Sequence, residues 1–524
     1  MKKDGSAVLS DNRIKNLLFL LSLMVIGMAA FLLIGSDSYV LFDDSGSYIN
    51  MESYMEGVMP VYPLFLRMNK ILFGEAVYLQ VVIVEQAVFA CICLIVFVRV
   101  VQSRFQLSYW ETYCIYLLSF LPFTTDMPDA MATQEILTEG IAYAAFYLFM
   151  ALLLQAAWTK QIRYIVYVFL MTLFLAATRS QLQILFGVCG VILFYLVLTG
   201  TKKGTGMSLA VRLILGTAGC VCIGLAGIWC TGRISTIYQE RLRQYTRDLQ
   251  REESIAKLAE EAGDGADLEA ITAEYDAKER PITETEWKAS SAQYASLLFA
   301  RGMYEADYED YLLFEDEQMQ KLYLYLYQTA DENGCLYTYA KPGLWMWKDI
   351  VGGIGSVGNK CLYAMAEYYN AMPEISQRDD YHMIRSNSAN IIGLTLLKAH
   401  WPRFLYHTLM MLPQAFICTV FFQIARIYLL CHLVTLFLYV SAIGLMIWAY
   451  ADRKVDRAYG EFMSAVLGTN LVMILIISLV FFGQQRYLVY NFGIFYMVYF
   501  LLLIQIWKIY GKNWLMKWKD RKKS

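Results

Sequence analysis

Long apolar runs alternate with short polar ones along the first half of the chain. The runs lie near 16–35, 75–98, 109–123, 136–158, 164–178, 181–198 and 209–230. Most approach the ~20 residues a helix needs to cross a bilayer. The pattern therefore predicts seven spans before residue 232. Residues 232–400 are different: polar, acidic in places and helical in periodicity. Charges alternate from Arg241 to Lys278 around Gly263-Asp264-Gly265, which predicts a solvated helical hairpin. Phe314-Glu315-Asp316-Glu317 and the tyrosine-rich run 322–327 predict further helices. Three more spans are expected at 427–450, 462–482 and 488–506. The stretch 403–423, with His407 and Pro413, is expected as an interfacial or re-entrant helix pair kinked at the proline.

Charge gives these spans a direction. Lys2, Lys3, Arg13 and Lys15 precede the first run, which is too long for a signal-peptide core and lacks a clear cleavage site. Arg99 with Arg104, Lys160 with Arg163, and Lys202 with Lys203 then mark successive turns on the same side. Asp452-Arg453-Lys454, Arg457 and the lysine-rich tail join them if three spans follow residue 400; four would put the tail outside, against the positive-inside rule. The expectation is an all-α polytopic membrane protein, a bundle of about ten spans with a mainly helical outer domain. Both termini are cytoplasmic. The parts are 1–231, a seven-span module; 232–400, the outer domain; and 401–524, the outer interfacial helices, three spans and a basic tail.

Composition agrees. The 524 residues are 58% hydrophobic and only 17% charged, which excludes a soluble protein of this size. The net charge of -2 offers no basic excess for a nucleic-acid partner. Most of the 11 Cys, such as Cys91, Cys93, Cys220 and Cys222, lie in apolar runs and do not form a disulfide framework. Cys335 and Cys361 lie in the polar segment, where an oxidising compartment would let them pair. There is no CxxC, and the 4 His show no metal-ligand spacing. No cofactor is evident; a divalent metal is compatible with the sequence but supported by nothing in it. Gly353-x-Gly355-x-x-Gly358 lacks the strand–helix unit of a dinucleotide site and is expected as a flexible loop. Trp345 and Trp347 are expected in an interfacial belt.

The candidate chemistry starts in the first outer loop. Asp43 and Asp44 follow the first span by a few residues, and Tyr48 stands four residues after Asp44. From Tyr48 to Glu56 the pattern suits a helix lying on a membrane, which Pro60-Val61-Tyr62-Pro63 should break. The same side collects Glu135 and Glu139, Arg179, and Arg486-Tyr487. Polar groups converging at span ends point to a site. They also suit snorkelling at an interface, and Asp43 or Asp44 suits a helix cap. The residues alone leave both readings open.

The Asp44/Tyr48 register, Pro60-x-Tyr62-Pro63 and the ending Leu72-Phe73-Gly74 resemble the first outer loop of the GT-C superfamily of integral-membrane glycosyltransferases. That superfamily includes the dolichyl-phosphate-mannose protein mannosyltransferases and the bacterial aminoarabinose transferases. Glu139 resembles its second acidic position. Thr178-Arg179 resembles its T-R-P motif with Ser180 in place of proline, and Arg486-Tyr487 its R-Y pair before the last span. The resemblance covers the first seven spans and these motifs but not residues 232–400.

It implies transfer of a sugar from a polyprenyl-phosphate-linked donor to a glycan, lipid or protein acceptor. The site would face outside, in a membrane expected to be the bacterial cytoplasmic one. Asp44, with Asp43 and Glu139, would be catalytic. Arg486, Tyr487 and Arg179 would bind the donor phosphate, and Tyr48 and Tyr62 would support the acceptor or the loop. A surface polysaccharide polymerase would rely on outer arginines instead of a first-loop Asp. A lipid-linked sugar flippase or transporter would need ionisable residues at mid-span and repeated halves. A membrane scaffold would need none of these groups.

Overall fold

The computed structural model describes residues 5–34, 38–42, 44–49, 59–124, 131–199, 208–262, 295–343, 345–376, 381–422, 424, 427–480 and 485–511. Among them the regular structure is helical, with one isolated parallel bridge between Val40 and Glu135. The first half holds α1 (Gly5–Leu33), α2 (Ser45–Ile49), α3 (Val61–Phe73), α4 (Tyr78–Phe105), α5 (Tyr109–Leu118), α6 (Glu139–Thr159), α7 (Ile162–Thr178), α8 (Leu185–Thr199) and α9 (Leu209–Ala262). The second holds α10 (Ala295–Tyr304), α11 (Glu317–Glu332), α12 (Met346–Asn370), α13 (Tyr381–Ala399), α14 (Trp401–Val420), α15 (Tyr428–Ala451), α16 (Arg457–Val480) and α17 (Phe492–Ile506).

Eight helices among the described residues are long and apolar enough to cross a membrane. They lie within α1, α4, α6, α9, α15 and α16, and in the stretches Ser180–Thr199, which ends with α8, and Arg486–Gly511. The exposed faces of α9 and α15 carry Leu225, Ile228, Trp229, Leu433, Leu436 and Phe437. An apolar belt of that extent suits lipid better than water. At the centre stands α6, whose small residues Ala142, Ala144, Ala145 and Ala151 let α4, α7 and α8 pack closely around it.

Several elements differ from expectation. The third apolar run is not one helix: α5 has 10 residues, and a 3-10 turn at Leu121–Thr124 follows. Pro122 explains the break, since it has no N–H and restricts its predecessor. The fifth run, α7, has 17 residues. Pro60-Val61-Tyr62-Pro63 opens a new helix, while residues 50–58, where the expected preceding helix would end, lie outside the described residues. Pro60 is the N-cap of α3 and Pro63 lies in its first turn, where the missing N–H has no intrahelical partner to lose. Gly353, Gly355 and Gly358 lie inside α12 and do not form a loop. A Cβ on Gly353 would sit 2.5 Å from the Tyr304 ring, and one on Gly358 would sit 3.3 Å from Ala300, so these glycines let α12 approach α10. The 403–423 pair is a single helix, α14, with Pro413 inside it. The first arm of the expected hairpin continues α9 without a break to Ala262; its Gly263-Asp264-Gly265 turn and second arm lie outside the described residues. All 11 Cys are free thiols, Cys335 and Cys361 included. Trp347 stacks on Tyr428 at 4.3 Å.

Residues 295–399 have a core of their own, made by Phe299, Met303, Leu322, Leu326, Val357, Cys361 and Ile392. α14 joins that unit to the bundle. Met411 packs with Ala300, Tyr304 and Ile354, whereas Ala415, Cys418 and Val420 belong to the main core. A buried polar knot reinforces the joint. His407 Nδ1 lies 2.8 Å from Glu305 Oε2, and Arg301 donates to Thr408 Oγ1 at 2.6 Å. Burial lowers the Arg301 guanidinium to about 10, against the pull of Glu305.

Gly493 tests the packing of α17. A Cβ there would meet Leu118 O and the Tyr147 hydroxyl, each at 2.5 Å. Gly493→Val is expected to destabilise by about 1–3 kcal/mol, read as a lower thermal unfolding midpoint in detergent. Gly444→Ala meets nothing within 4 Å and should leave the midpoint unchanged or slightly higher.

Candidate functional site

The site is built on an irregular segment. Residues 131–138 contain no regular helix, yet all of them are buried. Backbone polar groups in such a position need partners. Gln86, buried on α4, donates through Nε2 to Thr133 O at 3.0 Å and to Glu135 O at 3.2 Å. Gln134 Oε1 accepts from Met131 N at 2.9 Å, and Phe123 O accepts from Ala132 N at 2.9 Å. The first loop supplies further partners. Val40 N donates to Gln134 O at 2.9 Å, and Ile136 N donates to Val40 O at 3.0 Å. Ser45 Oγ donates to Ile136 O and accepts from Phe42 N, both at 2.9 Å. Asp44 is thus fixed between two pinned residues, while Ser45 opens α2.

Asp44 faces the other end of the chain. Its Oδ2 lies 3.4 Å from both Nη1 and Nη2 of Arg486. Arg486 also donates through Nη2 to the Tyr487 hydroxyl at 2.9 Å, and its backbone carbonyl accepts from the Tyr143 hydroxyl of α6 at 3.1 Å. The Tyr487 ring lies 5.0 Å from the guanidinium of Arg486 and 5.0 Å from that of Arg179, within cation–π range of both. Arg179 leaves α7 in extended backbone, donates through Nε to Gln181 Oε1 at 2.8 Å, and pairs with Glu139 at 2.5 Å. Both members of that pair are buried, at 8% and 2% exposure. Burial alone would lower the Arg179 guanidinium, but Glu139 holds it well above its ordinary value. Glu139 is also the first residue of α6, where the helix dipole favours a carboxylate.

Tyr48 lies beside this pair. Burial pushes its hydroxyl up to about 12; Arg179 opposes the rise, and Glu139 and Asp44 add to it. The phenol stays protonated and available as a donor. Its ring meets that of Tyr62 edge to face at 5.4 Å. Tyr62 is fully buried at the start of α3, and burial raises its hydroxyl well above the ordinary value.

Asp44, Tyr48, Tyr62, Glu139, Arg179, Arg486 and Tyr487 therefore come together from five chain segments. Asp43 lies outside the described residues, as does the rest of the expected helix up to Glu56. Asp44 is half exposed and Arg486 one-third exposed. They form the open end of a cluster whose closed end is Glu139 with Arg179. The arrangement can take up an anion at Arg486 and can accept a proton at Asp44.

Two features went unread in the sequence. Gln86 follows Glu85 in a largely apolar run that gives no sign of its backbone partners. In the unit formed by residues 295–399, Asp307, Asp310 and His400 bring ligand-type atoms within 4.8 Å of one another. They are the described residues best placed to hold a metal, although Arg403 and Tyr337 already engage the Asp307 carboxylate at 2.9 and 2.7 Å. The spacing 307, 310, 400 gave no sign of this convergence.

No family model matches the chain, and no curated protein matches it.

Glu139→Gln would leave Arg179 buried without its counter-charge, at an expected cost of about 3–5 kcal/mol. Replacing both, as Glu139→Gln with Arg179→Met, should recover most of that loss. Thermal unfolding of the two single variants and the double variant measures the coupling.

Proposed function

We propose that the chain is a GT-C-like glycosyltransferase of about ten spans, embedded in a bacterial cytoplasmic membrane with the Asp44 cluster facing outside. It moves a sugar from a polyprenyl-phosphate-linked donor to an acceptor on that face. The observation that carries this reading is the meeting of Asp44 with Arg486, 442 residues apart, at 3.4 Å. The residues singled out for chemistry in the first loop and before the last span share one cluster, as such an enzyme requires. The two shorter apolar elements, α5 with its 3-10 turn and α7, make up the proposed count with the eight longer ones.

The chemistry follows from the charges. Arg486 presents a forked donor to the donor phosphate, with the Tyr487 ring holding its plane and Arg179 adding positive field. In the free protein Asp44 is the partner of Arg486. A phosphate taking that place frees the Asp44 carboxylate for the acceptor. The acceptor oxygen attacks the sugar carbon as the carbon–oxygen bond to phosphate breaks. The leaving polyprenyl phosphate keeps the bonding pair, and Asp44 takes the acceptor proton. Displacement from the face opposite the phosphate inverts the sugar carbon. Tyr48, a protonated donor beside Glu139, orients the acceptor. A surface polysaccharide polymerase would use the same two arginines without a base at Asp44.

Asp44→Asn removes the base while keeping shape. Transfer from a polyprenyl-phosphate-linked donor should fall by ~10²–10⁴-fold with donor binding retained. Near-normal turnover in this variant would refute the assignment and leave the polymerase reading ahead.

Arg486→Lys keeps the charge and loses the fork. Its donor affinity is expected to drop several-fold and that of Arg486→Ala further, with unchanged unfolding midpoints, measured by titration of the reconstituted protein with polyprenyl phosphate. Equal affinity in wild type and Arg486→Ala would remove Arg486 from donor binding.

A further inference from the structure

The outer unit carries a second polar and aromatic face, at the first turn of α14 and away from the Asp44 cluster. Tyr308 is 60% exposed and Tyr339 49% exposed, and the half-buried Tyr327 ring lies 5.8 Å from that of Tyr308. Hydrogen-bonding groups stand among the rings. Tyr339 donates to Asp331 Oδ1 at 2.8 Å, Tyr337 donates to Asp307 Oδ1 at 2.7 Å, and His400 Nε2 lies 2.7 Å from Asp310 Oδ2. Arg403 is fixed over the Tyr337 ring at 3.7 Å while it binds Asp307. The Arg403 and Tyr337 contacts hold Asp307 below its ordinary value against the effect of burial, so it stays an acceptor.

We propose that this face, formed by Tyr308, Tyr327, Tyr339, Asp307, Asp331 and His400, binds an uncharged carbohydrate chain that serves as the acceptor. The proposal rests on the glycosyltransferase reading. Sugar rings have an apolar C–H face and a rim of hydroxyls. Exposed tyrosines offer flat, electron-rich surfaces to the first, and paired carboxylates and imidazole offer acceptors and donors to the second. The surroundings exclude other occupants. Glu309, Glu315 and Asp316, exposed in the same stretch as Tyr308, add acidic charge, which disfavours phosphates, anionic lipid headgroups and acidic glycans. A divalent cation at Asp307, Asp310 and His400 would have to displace Arg403 from Asp307. The carboxylates also make the face unsuitable for insertion into lipid.

Position argues for a chain over a single sugar. The face adjoins the first turn of α14. The segment carrying Arg486 packs against the same helix, which is about 30 Å long. An acceptor held at the face therefore reaches the Asp44 cluster only if it extends along the molecule. Binding at the face would raise the local concentration of acceptor ends without taking part in the chemistry.

The test uses the full-length protein in lipid nanodiscs. Malto-, cello- and chito-oligosaccharides of increasing length are the probes, and saturation-transfer NMR is the readout. Binding of at least one series, strengthening with length, is expected. Tyr308→Ala with Tyr339→Ala should weaken it at least tenfold, while Tyr363→Ala, an exposed tyrosine elsewhere on the unit, and Asp44→Asn should not. Both ring substitutions are at exposed positions, and an unchanged unfolding midpoint confirms folding. No binding by wild type to any series, or equal binding by the double variant, overturns the proposal. Oligosaccharide binding without sugar transfer by wild type would retain this face as a glycan site and reject the enzyme. Transfer without oligosaccharide binding would do the reverse.

Discussion

An irregular stretch of backbone lies inside a bundle of apolar helices, and its polar groups cannot be left without partners. Residues 131–138 impose that demand, and much of the candidate site follows from how it is met. Gln86 supplies side-chain donors from α4, and the first loop supplies backbone and the Ser45 hydroxyl. Leaving such groups unmet would cost a few kcal/mol each, by order of magnitude. The loop that carries Asp44 is therefore held by hydrogen bonds that the bundle itself requires. Its position is a by-product of satisfying the interior: Val40 and Ser45, on either side of the candidate base, are bonded to that segment.

The two ends of the cluster differ in kind. Glu139 and Arg179 are buried, matched in charge and close together, which is an arrangement that resists change. Asp44 and Arg486 are more exposed and farther apart, which leaves Arg486 able to trade partners. The Tyr487 ring between the two guanidinium groups lets two like charges share one small space. Such a graded arrangement suits preorganised binding with one movable contact.

Hydropathy made the helical class and most long elements legible, because apolar length is a property of the sequence alone. Individual breaks were less legible. Pro60 and Pro63 were legible as the stop of one helix but not as the start of the next, since a proline has the same local effect on either side of a helix boundary. The glycines at 353, 355 and 358 read as a loop because their partner surface on α10 is far away in sequence. The members of the Asp44 cluster were legible as residue types with a family-like register, but their mutual distances were not. Gln86 and the Asp307–His400 group escaped for the same reason: a lone polar residue means little until its neighbours are known. The single helix α14 escaped because Pro413 outweighed the continuous burial pattern of His407, Thr408, Met411, Gln414, Ala415 and Cys418.

That helix has a mechanical consequence. Its first turns are tied to the 295–399 unit by the Glu305–His407 contact, and its last turns are locked in the bundle, where Val420 O accepts from Tyr496. A rod fixed at one end magnifies rotation at the other: tilting a 20-residue helix by about 5° moves its far turn by about 2.6 Å. Small rocking of the 295–399 unit is thus geared down before it reaches the helical bundle. The knot at Glu305 and His407 ties the moving end of the rod to the 295–399 unit, so loosening it would uncouple that unit from the bundle.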